Sequence, residues 1–163
     1  MNVVVVVGNP RTGSRTRQAA EYVTERLTGA PPAACMELGE LGPSLLSWDD
    51  PAVTAAKQTV LAASLVVFAS PTFKATYTGL LKLFLDQFGS GELGGKPAVA
   101  LMVGASERHA LAGEHTLKPV LSEIGCSCPA PALFLLDSDW ATSPDLEVWL
   151  PRATAAHGLG RDT

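Results

Sequence analysis

The chain has 163 residues, 47% of them hydrophobic and 17% charged, with a formal net charge of −4. That length fits one domain with a sizeable core, and the apolar share excludes a disordered chain. The acidic balance without a basic run argues against a nucleic-acid surface, no apolar stretch is long enough to span a bilayer, and the amino end lacks the cationic start of a signal peptide, so a cytoplasmic protein is expected.

Asn2–Val7 is predicted to be the first strand, because a run of β-branched valines suits a strand buried on both faces of a parallel sheet. A helix follows from about Ser14 to Leu27, with Ala20, Val23 and Leu27 on one face and Thr28-Gly29 ending it. Pro31-Pro32 leads to a second strand, Ala34–Leu38, and Gly39–Asp50 reads as loop. Asp49 or Asp50 caps a helix that starts at Pro51. Ser64–Ala69 is the third strand, and Ser70–Lys74 is the loop after it. The next helix, Thr76–Phe88, buries Leu80, Leu81, Phe84, Leu85 and Phe88. After a glycine-rich turn over Gly89–Lys96, the fourth strand is Pro97–Val103, ending in Gly104-Ala105-Ser106. A helix over Ala110–Ile124, interrupted at Pro119, precedes a fifth strand at Ala132–Leu136. A last helix begins at Asp145 and is disturbed by Pro151, and residues 158–163 are expected to fray.

Strands alternating with helices predict an α/β fold: a flavodoxin-like three-layer sandwich around a five-stranded parallel sheet of order 2-1-3-4-5, in one domain over residues 1–163. In that order the loops after strands 1, 3 and 4 meet where the strand order reverses, which is where such sheets bind ligands.

The first of these loops, Gly8-Asn9-Pro10-Arg11-Thr12-Gly13-Ser14-Arg15-Thr16, joins the carboxyl end of a strand to the amino end of a helix. Backbone N–H groups and the helix dipole favour an anion there, and hydroxyls and arginines add donors. It has neither the lysine of a Walker loop nor a G-x-G-x-x-G spacing. A hydroxyl-rich loop without that lysine suits a phosphomonoester that is held and not cleaved, FMN being the common case. The same residues also read as a plain βα turn capped by Ser14 or Thr16. In the second loop, Pro71, Thr72, Phe73 and Lys74 can line a flat ring. In the third, Gly104, Ala105 and Ser106 let the backbone approach it. No catalytic triad is present, as suits a reaction in which the cofactor accepts the hydride. Cys35, Cys126 and Cys128 cannot all pair and read as reduced thiols. His109, His115 and His157 lack ligand spacing, so no metal site is expected.

Gly8-Asn9-Pro10-Arg11-x-x-Ser14-Arg15-Thr16, Ser70-Pro71-Thr72-Phe73-Lys74-Ala75-Thr76-Tyr77-Thr78-Gly79-Leu80-Leu81-Lys82 and Leu117-Lys118-Pro119-Val120-Leu121 resemble the NADPH-dependent FMN reductase family, and most of all its sulfonate-utilisation branch. The resemblance covers about residues 2 to 137. It implies an NAD(P)H:FMN oxidoreductase with FMN and NADPH or NADH, reduced flavin passing to a partner monooxygenase, and a homodimer or homotetramer. It also implies phosphate contacts from Asn9, Arg11, Ser14, Arg15 and Thr16, although Asn9 stands where the family usually has serine. Ring contacts fall to Pro71, Thr72, Phe73 and Lys74, and to Gly104, Ala105 and Ser106. In that branch the helix after strand 4 can carry one inserted residue, which here would form a π-bulge around Ala112–Thr116 and turn His115 toward a subunit interface. The helix carrying Lys82 and Asp86 tends to pack between subunits. Arg15, Arg17 and Arg108 are candidates for the 2′-phosphate of NADPH. Two other readings stay open: a flavodoxin-type electron carrier, and a quinone or azo reductase that retains its FMN.

Overall fold

A computed structural model describes residues 1–160. The central strands are β1 (Val3–Val7), β3 (Leu65–Pro71) and β4 (Lys96–Gly104), with β2 (Ala34–Glu37) at one edge. The strands pair in parallel in the order β2-β1-β3-β4, with two short strands, β5 (Cys126–Ser127) and β6 (Leu133–Leu136), along the outer edge of β4, which is the predicted 2-1-3-4-5 order. Every residue of β1 and β3 is buried, because helices cover both faces. Val3, Val5 and Val7 pack with α1 (Arg15–Thr28) and α6 (Pro144–Ala156). Val4 and Val6 pack with α3 (Pro51–Ala62), α4 (Gly79–Leu85) and α5 (Lys118–Glu123). The alternation of a strand thus divides one valine run between two cores.

Several boundaries differ from expectation. The second strand ends at Glu37, and the segment expected as loop forms a short helix, α2 (Leu38–Leu41), and a 3-10 turn over Gly42–Leu46. Asp50, not Asp49, caps α3, accepting from the N–H groups of Ala52 and Val53. α4 starts only at Gly79, because Thr78 takes the cap and accepts from Leu81 N–H at 3.1 Å. The single helix expected over Ala110–Ile124 is two pieces, a π-helical turn at Gly113–Leu117 and α5, with a separate 3-10 turn before them at Glu107–His109. Pro119 has no N–H to give and is the second residue after the π turn, in the first turn of α5.

The fifth strand is split. Cys126–Ser127 (β5) pairs with Lys96-Pro97, and Leu133–Leu136 (β6) pairs with Leu101–Gly104. Between these pairs, residues 98–100 of β4 face residues 128–132 of the outer chain, and Pro129 and Pro131 there cannot donate to a ladder. Pro151 does not break α6, which starts at Pro144 instead of Asp145 and runs through to Ala156. Leu146, Trp149, Leu150 and Ala153 anchor it in the core, and that burial outweighs one lost backbone bond. Of the frayed tail predicted for 158–163, residues 161–163 lie outside the described residues and Gly158–Gly160 form a turn.

Candidate functional site

The three loops singled out from sequence converge at the carboxyl edge of the sheet. They line a cavity of about 530 Å³. The first loop and the start of α1 contribute Asn9, Pro10, Arg11, Ser14, Arg15 and Thr16, the end of β3 and the second loop Pro71, Thr72 and Phe73, and the end of β4 and the third loop Val103, Gly104 and Ala105, with Asp137 after β6 closing the ring. Lys74 and Ser106 stand outside this lining. Lys74 is exposed within a turn, and Ser106 Oγ accepts from Arg108 N–H, capping the 3-10 turn.

Hydrogen bonds explain why the first loop holds its shape. Asn9 Oδ1 accepts from Arg11 N–H at 2.9 Å, and Asn9 Nδ2 donates to Thr16 Oγ1 at 3.2 Å. Ser14 caps α1, its Oγ accepting from Arg17 N–H. The preceding N–H groups of Arg15 and Thr16 have no carbonyl acceptor within the helix, so the positive end of the α1 dipole is directed at the cavity that these residues line. Capping and anion binding are therefore compatible at Ser14, whose hydroxyl hydrogen remains free to donate. Behind the loop, Glu37 Oε1 accepts from Gly13 N–H at 2.8 Å and Glu37 Oε2 from Arg17 Nη1 at 2.7 Å. Arg17 also bonds Glu21, and these two partners, Glu37 first, raise its guanidinium above its ordinary pKa. Arg17 is thereby committed away from any ligand. Arg15 reaches Asp137 at 3.2 Å, both side chains being solvent-exposed.

The second loop is tied to its neighbours. Thr72 N–H donates to Val103 O, Ser70 Oγ accepts from Thr78 N–H, and Thr78 Oγ1 donates to Gly8 O at 2.6 Å. Gly8 permits this junction: a Cβ there would lie 2.6 Å from Leu81 Cβ of α4. Phe73 and Thr76 exchange two backbone bonds around Lys74 and Ala75, whose φ angles are 52° and 68°. Two left-handed residues in a row make a type I′ turn, normally built from Asn and Gly. Phe73 at its base is half exposed and borders the cavity. Thr76 Oγ1 donates to Thr116 Oγ1 at 2.8 Å, linking this loop to the π turn. His115 in that turn is exposed.

Two observations test whether a flat, polar-edged ring fits. Thr72 lines the cavity, and its Oγ1 is buried with no hydrogen-bond partner among the described residues, a polar group left unsatisfied at this wall. At Gly104 a Cβ would lie 2.8 Å from Phe134 Cζ and 3.1 Å from Thr72 Oγ1, so only glycine keeps this wall flat. A phosphate donor set at one end and a flat apolar wall with an orphan hydroxyl at the other suit a flavin mononucleotide.

The model of the NADPH-dependent FMN reductase family matches residues 1–158. The chain belongs to that family. It is 34% identical to the FMN reductase (NADPH) of Escherichia coli strain K12 over 128 residues, covering 76% of this chain and 67% of that one. It is 33% identical to the NADH-dependent FMN reductase SfnF of Pseudomonas fluorescens strain Pf0-1, over 75% of this chain and 69% of that relative. Among solved structures it superposes on the apo form of the NADH:FMN oxidoreductase EmoB with a TM-score of 0.83 at 27% identity, covering 98% of this chain and 90% of the other.

Among the described residues, no group of three or more His, Cys, Asp or Glu is placed to hold a metal ion, and no helix is long and apolar enough to cross a membrane. Burial pushes the thiols of Cys35 and Cys126 up to about 12 and that of Cys128 up to about 11. Sequence reasoning missed Glu37 and Asp137. Each is an isolated acid without local pattern, although a lone carboxylate at the carboxyl end of the strand beside a phosphate loop is a usable signal.

Proposed function

We propose that this reductase oxidises NADPH or NADH and delivers the electrons to FMN held in the cavity between the three loops. The observation that carries the reading is the coincidence, in one cavity, of a helix amino end bearing Ser14, Arg11 and Arg15 with the glycine-flattened wall at Gly104. Ser14, Thr16, Arg11, Arg15 and the N–H groups that open α1 bind the phosphate. Asn9 shapes the loop by holding Arg11 N–H and Thr16. Pro71, Thr72 and Phe73 form one side of the ring site, and Val103 to Ala105 form the other. When bound, FMN supplies the acceptor for the nicotinamide's hydride. The chain's own contribution is placement and a preset field of backbone dipoles, with no side-chain acid or base required. Lys74 and Ser106 stay outside this assignment, because neither lines the cavity.

Reduced flavin passes from this site to a partner monooxygenase, as the sequence resemblance implies, and the reductase works as a cytoplasmic homo-oligomer with His115 of the exposed π turn facing the neighbouring subunit. For the 2′-phosphate of NADPH, Arg17 is committed to Glu37 and Glu21, which leaves Arg15 and Arg108. The test is steady-state oxidation of each nicotinamide with and without FMN. Oxidation that saturates with added FMN supports the proposal. FMN that stays bound while turnover awaits a quinone or azo acceptor replaces it, and no oxidation with either nicotinamide overturns it.

A further inference from the structure

Glu37 is a carboxylate only 4% exposed, placed at the last residue of β2 and in register with Val7 of β1. The phosphate loop leaves β1 immediately after Val7, so pairing of the two strands fixes Glu37 relative to the loop's start. Its side chain then fixes the loop's end. Oε1 takes the N–H of Gly13, directly before the helix cap, and Oε2 takes Arg17 one turn into α1. Asn9 also ties Arg11 N–H to Thr16, but from within the loop, whereas Glu37 braces loop and helix from the neighbouring strand.

A buried carboxylate beneath a dianion site is costly unless its charge is answered. Arg17 answers it at 2.7 Å. Because Arg17 is held there, and by Glu21 at 3.1 Å on its other side, it does not line the cavity. Arg11 and Arg15 then carry the side-chain charge available to a ligand. The pair therefore separates scaffold charge from ligand charge within one arginine-rich segment. A neutral amide at position 37 keeps an acceptor for Gly13 but turns N–H hydrogens toward the guanidinium, so it cannot perform both tasks.

We infer that Glu37 is the positioning residue of the phosphate loop, setting affinity for the phosphate end of the ligand and leaving the ring end untouched. This rests on the FMN reading above. The test compares FMN with riboflavin, which carries the same ring without the phosphate, by titration into the wild-type protein, E37Q, R17M and the control E21Q. In E37Q the preference for FMN over riboflavin is expected to fall about tenfold, the size of one charge-assisted hydrogen bond, with riboflavin affinity unchanged. R17M leaves the buried carboxylate unanswered at a cost in stability, so it is titrated well below its own melting temperature, and it shifts the same ratio in the same direction. E21Q leaves it unchanged. A ratio equal to wild type in E37Q or R17M, whether neither ligand or both ligands are weakened, overturns the positioning role. A wild-type protein that binds riboflavin as well as FMN overturns the phosphate site itself, which is a separate outcome.

Discussion

Replacing Gly104 with alanine probes the wall between the proposed ring site and the sheet edge. The added Cβ would lie 2.8 Å from Phe134 Cζ, 3.0 Å from Phe134 Cε2 and 3.1 Å from Thr72 Oγ1. Ordinary contact needs roughly half an ångström more, so something must move. Backbone pairing to β6 at Leu136 and the Asp137 N–H bond to Gly104 O restrain position 104 itself, so the Phe134 ring gives way. Overpacking of this kind costs about 1–3 kcal/mol, and for a half-buried ring about 1.5 kcal/mol is expected. At about 2–4 °C per kcal/mol for a domain of this size, the melting temperature should fall by about 3–6 °C. The added methyl would also lie 3.1 Å from Thr72 Oγ1, and Thr72 lines the ring cleft, so FMN affinity should fall as well. The decisive assay is a double-mutant cycle with F134L by thermal melting and FMN titration. Loss in G104A should be largely recovered in G104A/F134L, because the shorter side chain vacates the contested space. Additive losses, or a G104A protein as stable as wild type, would refute the steric reasoning.

Other consequences follow from single features. Ala75 holds a φ of 68° without being glycine, so A75G should stabilise the fold by about 1 kcal/mol, read as a higher denaturant midpoint. S14A removes both the cap of α1 and a phosphate donor, lowering stability by about 1 kcal/mol and weakening FMN more than riboflavin in parallel titrations. The three thiols are raised by burial, so folding favours their protonated forms. Stability from this source is complete below the ordinary thiol pKa and declines as pH rises through about 8.5 and beyond, which alkaline denaturation curves of single Cys→Ser variants should register. For Glu114, burial pushes its pKa up, but the Ala132 N–H and the Lys118 ammonium outweigh it and hold the carboxyl below its usual range. Its contribution is present above the unfolded carboxylate pKa and lost as pH falls through the folded one, so E114Q should flatten the acid limb of the stability profile.

Much of this architecture is written locally. The valine run and the apolar third and fourth strands name the sheet centre, because burial on both faces leaves no room for polar alternation. The three loops that line the cavity follow, since parallel topology brings the ends of β1, β3 and β4 together. What stayed hidden depends on partners distant in sequence. β5 is a Cys-Ser pair with no strand signature, made a strand by Lys96-Pro97 beside it. Glu37 and Asp137 act through Gly13, Arg17 and Arg15, from 20 to 122 residues away. α6 survives Pro151 because its packing face is buried against the core, which helix propensity alone cannot weigh.

A second cavity, about 580 Å³, lies at the outer edge of β6 against Trp149 and Phe134, and it sets the terms of the most direct measurement. A crystal structure of the protein soaked with FMN should place the phosphorus at the amino end of α1, beside Ser14 and Arg15, with the ring between Phe73 and Gly104. Flavin density in the β6-edge cavity, or none in the cleft of the three loops at saturating ligand, would contradict the account.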